Sequence, residues 1–317
     1  MAQISGQGTI WNLPNYFAEL FTADVRRFPF LSMIGGLTGG KQTGNFEFAC
    51  SSEYDFPAAA QPALTETASL TAPTATEAVR AQVKNVTQIF QQAVNLSYVK
   101  LSNQGRLSGI NSQGEENNVE DENAFQINYN LQIIARNIEY VNFNGAYQIA
   151  TSAAVANKSR GMFAACALSG GSVVAAAGAT LSKALMDELL RTMFDAGSEF
   201  IMPVIWANGF QKQKLSDIYG YAPTDRTIGG VNIKQIETDF GVLGVADAHR
   251  FVPAASLLVA DMAVIAPVTQ PVPKKGNFFL EELSKTGASE NSQLFGQYGL
   301  DHGPAFAHGA ITGLATS

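Results

Sequence analysis

Residues 121–149, DENAFQINYNLQIIARNIEYVNFNGAYQI, decide how this chain is read. Ile127, Leu131, Ile134, Ile138 and Val141 recur at alternating steps of four and three, which sets them on one stripe of a 3.6-residue helix. Ala124, Phe125, Ala135, Phe143 and Ile149 widen the stripe into a face that calls for a core. No proline interrupts the chain between Pro73 and Pro203, and Glu120, Asp121 and Glu122 supply the charge favoured at a helix N-terminus. The pattern predicts one helix from Asp121 to Ile149, a rod of about 43 Å at roughly 1.5 Å per residue.

Upstream of that rod the sequence loses its core. Asn45–Cys50 alternates polar and apolar residues, as does Val83–Val99 with some slippage, so both read as strands. Between them lies DFPAAAQPALTETASLTAPTATEA, residues 55–78, rich in Pro, Ala and Thr. Two strands joined by such an excursion predict a projecting hairpin, marginal alone and in need of a neighbour. Further upstream, Asn15–Arg27 predicts a short amphipathic helix bearing Phe17, Leu20, Phe21 and Val25, preceded by too little apolar density to fold alone.

Downstream the pattern changes to α+β. Thr180 is placed to cap a helix over Leu181–Phe194 that stops near Gly197, and Asn208–Tyr219 reads as a second. Strands are expected at Ile201–Trp206, Val231–Ile236, Gly241–Asp247, Phe251–Val252 and Ser256–Ile265. The tail adds Phe278–Leu283, Ser292–Leu300 and Ala305–Leu314. Gly161–Ser182 carries no charge, but its Ala, Gly, Ser and Thr content reads as a small-residue loop and packed segment, not a membrane span.

Composition narrows the function. The chain has 317 residues with 15% charged, against roughly 25% in typical soluble domains, so much of its surface is neutral and cheap to cover. A net charge of −7 and only two basic pairs, Arg26-Arg27 and Lys274-Lys275, argue against a nucleic-acid groove. Cys50 and Cys166 lack any pairing spacing and are expected as free thiols, and the N-terminus shows no secretory pattern.

No catalytic, cofactor or metal site is expected. Gly35-Gly36-Leu37-Thr38-Gly39-Gly40-Lys41 has the spacing of a phosphate-binding loop, yet Gln42 replaces the hydroxyl residue and TGNFEFAC continues as a strand where a helix is required. The glycines then read as a flexible hinge. Asp301-His302 and His308 lack a third ligand or a nucleophile.

The order of parts resembles the major capsid protein of tailed bacteriophages, the Hong Kong 97-like fold. YFAELFTADVRRFPFLSMIGG (16–36), NAFQINYNLQIIARNIEYVNFNG (123–145), NKSRGMFAA (157–165), PVIWANGFQKQKL (203–215) and LFGQYGLDHGPAFAHGAITGL (294–314) carry that resemblance along nearly the whole chain.

The resemblance implies an N-terminal arm (1–34), an extended E-loop hairpin (35–108) and a P-domain with spine helix and β-sheet (109–164). An α+β A-domain (165–270) and a C-terminal return to the P-domain (271–317) follow. It further implies a non-enzymatic homo-oligomer of pentamers and hexamers in an icosahedral virion shell, assembled in the host cytoplasm around double-stranded DNA without sequence-specific contacts. A separate scaffolding protein, a portal and decoration proteins are the expected partners, and no membrane is. Trp11, Phe17, Phe21, Tyr54 and Phe56 are the candidate intersubunit contacts, because an arm and a coreless hairpin both need foreign apolar surface. The alternatives are a phage tail-tube or other virion subunit, and a soluble α+β hydrolase with an unrecognised site.

Overall fold

A computed structural model describes residues 27–37, 39–54, 58–75, 77–99, 122–219, 222–228, 231–246, 249–285 and 287–316. Apart from Arg27, the helix expected over Asn15–Arg27 lies outside the described residues, as do Glu120 and Asp121 at the expected start of the long helix.

Two large sheets and one two-stranded hairpin make up the β structure of the described residues. The first is five-stranded, built from β1 (Lys41–Gln42), β4 (Gln88–Ser97), β11 (Ala266–Thr269), β12 (Phe278–Glu282) and β13 (Ser289–Asp301). Its axis is β13, which pairs antiparallel with β4 over 289–298, with β12 over 292–296 and with β11 over 298–301. The second has seven strands: β5 (Ser172–Ala175), β6 (Pro203–Ala207), β7 (Ala222–Ile228), β8 (Val231–Thr238), β9 (Gly241–Val245), β10 (Leu257–Asp261) and β14 (His308–Thr312). Their order is β5-β14-β10-β6-β9-β8-β7. The C-terminal segment is therefore divided between the sheets, β12 and β13 in one and β14 in the other.

Strands β6 and β10 are buried at every position, which explains their unbroken apolar sequences. Side chains alternate across a strand, so Val204, Trp206, Leu258 and Ala260 enter one core while Ile205, Ala207, Leu257 and Val259 enter another. The first core also receives Ile134, Ile138 and Phe143 from the long helix. The second is closed by α5 (Lys183–Asp195), whose Met186, Leu189, Leu190 and Met193 are buried, and by Leu215 of α6 (Gly209–Tyr219).

The long helix, α3, spans Glu122–Asn144 and packs against β4 and β13. At 23 residues it is about 34 Å long, shorter than the sequence predicts. It stops because the Gly145 and Gly161 backbones meet directly: Gly161 N–H donates to Gly145 O at 2.8 Å, and a Cβ on Gly161 would fall 2.5 Å from Val141 O. Residues 145–149 then leave the helix, and Gln148 bridges to Lys158.

Other boundaries move for equally local reasons. Ser182, not Thr180, caps α5 by accepting from Leu185 N–H. Phe251–Val252 forms a turn, and Ala305–Leu314 divides into a 3₁₀ turn at Ala305–Ala307 and β14. The uncharged stretch contains α4 (Met162–Cys166) and β5, while β7 and β11 occur where no strand was expected. No helix among the described residues is long and apolar enough to cross a membrane.

The run Val83–Val99 is really two strands in two sheets. β3 (Arg80–Val86) pairs antiparallel with β2 (Glu47–Tyr54), whereas β4 joins β13, and the single residue Thr87 separates them. Its N–H donates to Phe46 O, and its hydroxyl lies 2.7 Å from Gln270 Oε1.

Candidate functional site

Among the described residues, the lysine, histidines and cysteines that the sequence singles out sit in structural contacts. Lys41, the lysine of the phosphate-loop-like stretch, pairs with the buried Asp301 at 2.5 Å. Of the glycines ahead of it, Gly39 and Gly40 form a packed elbow where a hinge was expected: Gly40 sits at φ +88°, and a Cβ there would lie 2.1 Å from Pro267 O. Lys41 continues as β1, parallel to β11, so the loop leads into a strand and not into a helix.

The histidines are similarly committed. His308 accepts the Asp261 amide at Nδ1 and donates from Nε2 to His302 O at 2.6 Å, and burial pushes its pKa down to about 4. His302 donates from Nδ1 to Gly303 O, with its pKa also lowered, chiefly by burial. The sequence neighbours are thus spatial neighbours, joined through a main-chain carbonyl. Burial raises both Cys50 and Cys166 to about 12, the reverse of an activated thiol, and both are free. Among the described residues no group of three His, Cys, Asp or Glu could hold a metal ion.

What stands out is the surface around the hairpin. Asn85, completely buried, fixes its root: Oδ1 accepts from Val86 N–H and Arg160 N–H, and Nδ2 donates to Leu300 O and Arg160 O. The guanidinium of Arg160 caps Lys84 O and lies 4.5 Å from the centre of the Tyr147 ring. Beyond this root, residues 58–75 are exposed throughout, interrupted only by the single helical turn α2 (Glu66–Ser69). Leu70 is 85% and Val79 81% exposed, and Leu64 is similarly uncovered. A root fixed by buried hydrogen bonds thus carries a segment whose large apolar side chains are exposed.

Of the residues expected on the spine, Ile134 and Ile138 are in the core, while Ile127, Leu131 and Val141 are partly buried. Of the candidate intersubunit residues, Tyr54 is exposed near the outer end of β2. Trp11, Phe17, Phe21 and Phe56 lie outside the described residues. Sequence reading passed over Asn85 and Glu139. Asn85 lies in a strand of polar alternation, and Glu139 is a lone acid beside Ile138 on an apolar face, which was the available signal.

Residues 3–315 match the profile of the SU10 major capsid protein family. Among solved structures, the fold is similar to the capsid asymmetric unit of cyanophage A-1(L), with 10% identity, TM-score 0.66 and coverage of 96% of this chain and 98% of that one. It is also similar to Mycobacterium phage Patience, at 10% identity, TM-score 0.57 and 92% and 84% coverage. A third likeness is to the holo-SrpI encapsulin complex from Synechococcus elongatus, at 11% identity, TM-score 0.56 and 95% and 94% coverage. No curated protein sequence matches the chain.

Proposed function

The chain belongs to the SU10 major capsid protein family, and from that premise we propose a division of labour among its parts. It is a structural shell protein of a tailed phage, not an enzyme, with the Hong Kong 97-like capsid fold and a place in the virion capsid. It assembles with further copies of itself.

In this reading residues 1–34 are the arm, 35–108 the E-loop, 109–164 the P-domain with its spine, 165–270 the A-domain, and 271–317 the return. Arm and hairpin lie on neighbouring copies through Trp11, Phe17, Phe21, Tyr54 and Phe56. Ring contacts close pentamers and hexamers into an icosahedral shell. The shell forms in the host cytoplasm with a separate scaffold, a portal and decoration proteins, and encloses double-stranded DNA that its acidic subunits do not grip. One observation carries this: a firmly rooted hairpin whose Leu64, Leu70 and Val79 are exposed among the described residues.

Electron microscopy of the purified chain, alone and co-expressed with a candidate scaffold, tests it. Closed shells tens of nanometres wide, on the order expected when ring contacts close, are the expected result. Open tubes would point to a tail-tube subunit, and a monomer under every condition would overturn the assembly reading.

A further inference from the structure

Glu139 lies on the core-facing side of α3 and is completely buried. Its Oε1 accepts the Phe30 amide at 2.9 Å and Nε2–H of His249 at 2.8 Å; its Oε2 accepts the Leu31 amide at 2.8 Å. The other ring nitrogen of His249 accepts Phe251 N–H at 3.1 Å, so the hydrogen on that ring sits at Nε2 and points at the carboxylate. One side chain therefore holds three segments that are distant in sequence: α1 (Pro29–Met33), the spine helix, and the turn after β9.

Burying a carboxylate is expensive unless it is fully hydrogen-bonded, and apolar packing alone already seats α1. Phe30 lies 4.9 Å from the Phe143 ring and 5.3 Å from the Trp206 ring. Such packing is not directional. Two charge-assisted bonds to the amides of consecutive residues are directional, and they fix the axis of α1 against the spine. The residues that follow are held separately: β1 pairs with β11, Thr43 N–H donates to Thr269 O, and Lys41 pairs with Asp301. The arm root and the hairpin root thus have independent fastenings on either side of the glycine elbow.

We infer that Glu139 is a positioning residue: it sets the place and direction of α1, the root from which the expected N-terminal arm would be held. Its importance for assembly rests on the reading that the arm contacts neighbouring copies; the latch itself does not.

The test uses the full chain with Glu139→Gln, which keeps the size of the side chain but turns one acceptor into a donor facing N–H groups. Glu139→Met serves as a second variant, should the first fail to fold. Amide exchange at Phe30 and Leu31 is expected to accelerate at least about tenfold, and tryptic cleavage after the exposed Arg27 to accelerate with it, while exchange at Thr43 stays unchanged. Unchanged exchange at Phe30 and Leu31 overturns the latch, as does an equal rise at Thr43, which would mean general destabilisation. In assembly reactions the released root is expected to lower shell yield or broaden shell size; shells identical to wild type in both would overturn the positioning role. A Trp11→Ser, Phe17→Ser, Phe21→Ser chain with Glu139 intact separates the two readings. Normal shells from that chain would sink the arm contacts without touching the latch.

Discussion

Asn85 and Arg160 hydrogen-bond in both directions: Arg160 N–H donates to Asn85 Oδ1 at 2.8 Å, and Asn85 Nδ2 donates to Arg160 O at 3.2 Å. Because Asn85 also accepts from Val86 N–H and donates to Leu300 O, one buried amide joins the hairpin, the segment after the spine and the axial strand. Replacing it with Ala strands several main-chain groups without partners. A loss of about 2–4 kcal/mol is expected from the cost of unsatisfied buried groups. Urea denaturation should record it, and a cost under about 0.5 kcal/mol, the level of an ordinary surface change, would show that the knot is dispensable.

The spine stripe makes a contrast within one helical turn. Ile138→Ala removes a fully buried side chain and should cost about 2–5 kcal/mol, whereas Tyr140→Ala, at a residue 53% exposed, should cost much less. Similar midpoints for the two variants would mean that the packing of α3 does not limit stability.

At the hairpin tip the expectation reverses. Leu70→Asp and Val79→Asp alter residues that their own subunit leaves exposed, so thermal unfolding of the unassembled subunit should stay within about 0.5 kcal/mol of wild type. Shell yield in electron micrographs should nevertheless fall, since a charge would enter an intersubunit contact unpaired. Shells formed at full yield would remove the tip from the interface.

His308 gives a pH dependence with a definite sign. Burial lowers its folded pKa from 6.5 to about 4, so the unfolded chain binds the proton more readily. Stability is therefore fullest above pH 6.5 and declines as pH falls toward 4, by about 2 kcal/mol between pH 6.5 and 5 for this group. The lowered pKa of His302 acts in the same direction. His308→Gln should flatten the dependence of the denaturation midpoint on pH over that window, and an undiminished slope would assign the effect elsewhere.

Salt offers a check on the whole assembly. Subunits with a net charge of −7 repel one another, and moving from low to moderate salt shortens the range of that repulsion to about 10 Å. Shell yield should rise across this change. A fall would indicate that opposite charges at the contacts outweigh the net repulsion.

The parts legible in the sequence were those with strong local periodicity. The spine stripe, the Pro-, Ala- and Thr-rich excursion between two strands, and the strand runs that become β6 and β10 follow from spacing and composition alone. What escaped depends on contacts between remote segments. The spine ends at Asn144 because Gly161 approaches Gly145, and Val83–Val99 divides at Thr87 because Phe46 and Gln270 lie beside it. β11 was hidden because only the partnership of β1 and β13 makes a strand of Ala-Pro-Val-Thr. Glu139 shows the same limit at a single residue, since nothing local to an acid on an apolar face tells which amides it will meet.

The one-residue junction at Thr87 also determines how the subunit bears force. Tension drawn along the hairpin passes from β3 into β4, whose antiparallel ladder with β13 runs from Gln88↔Tyr298 to Ser97↔Ser289. Pulled lengthwise, that ladder is loaded in shear, so its rungs share the strain and do not unzip one after another.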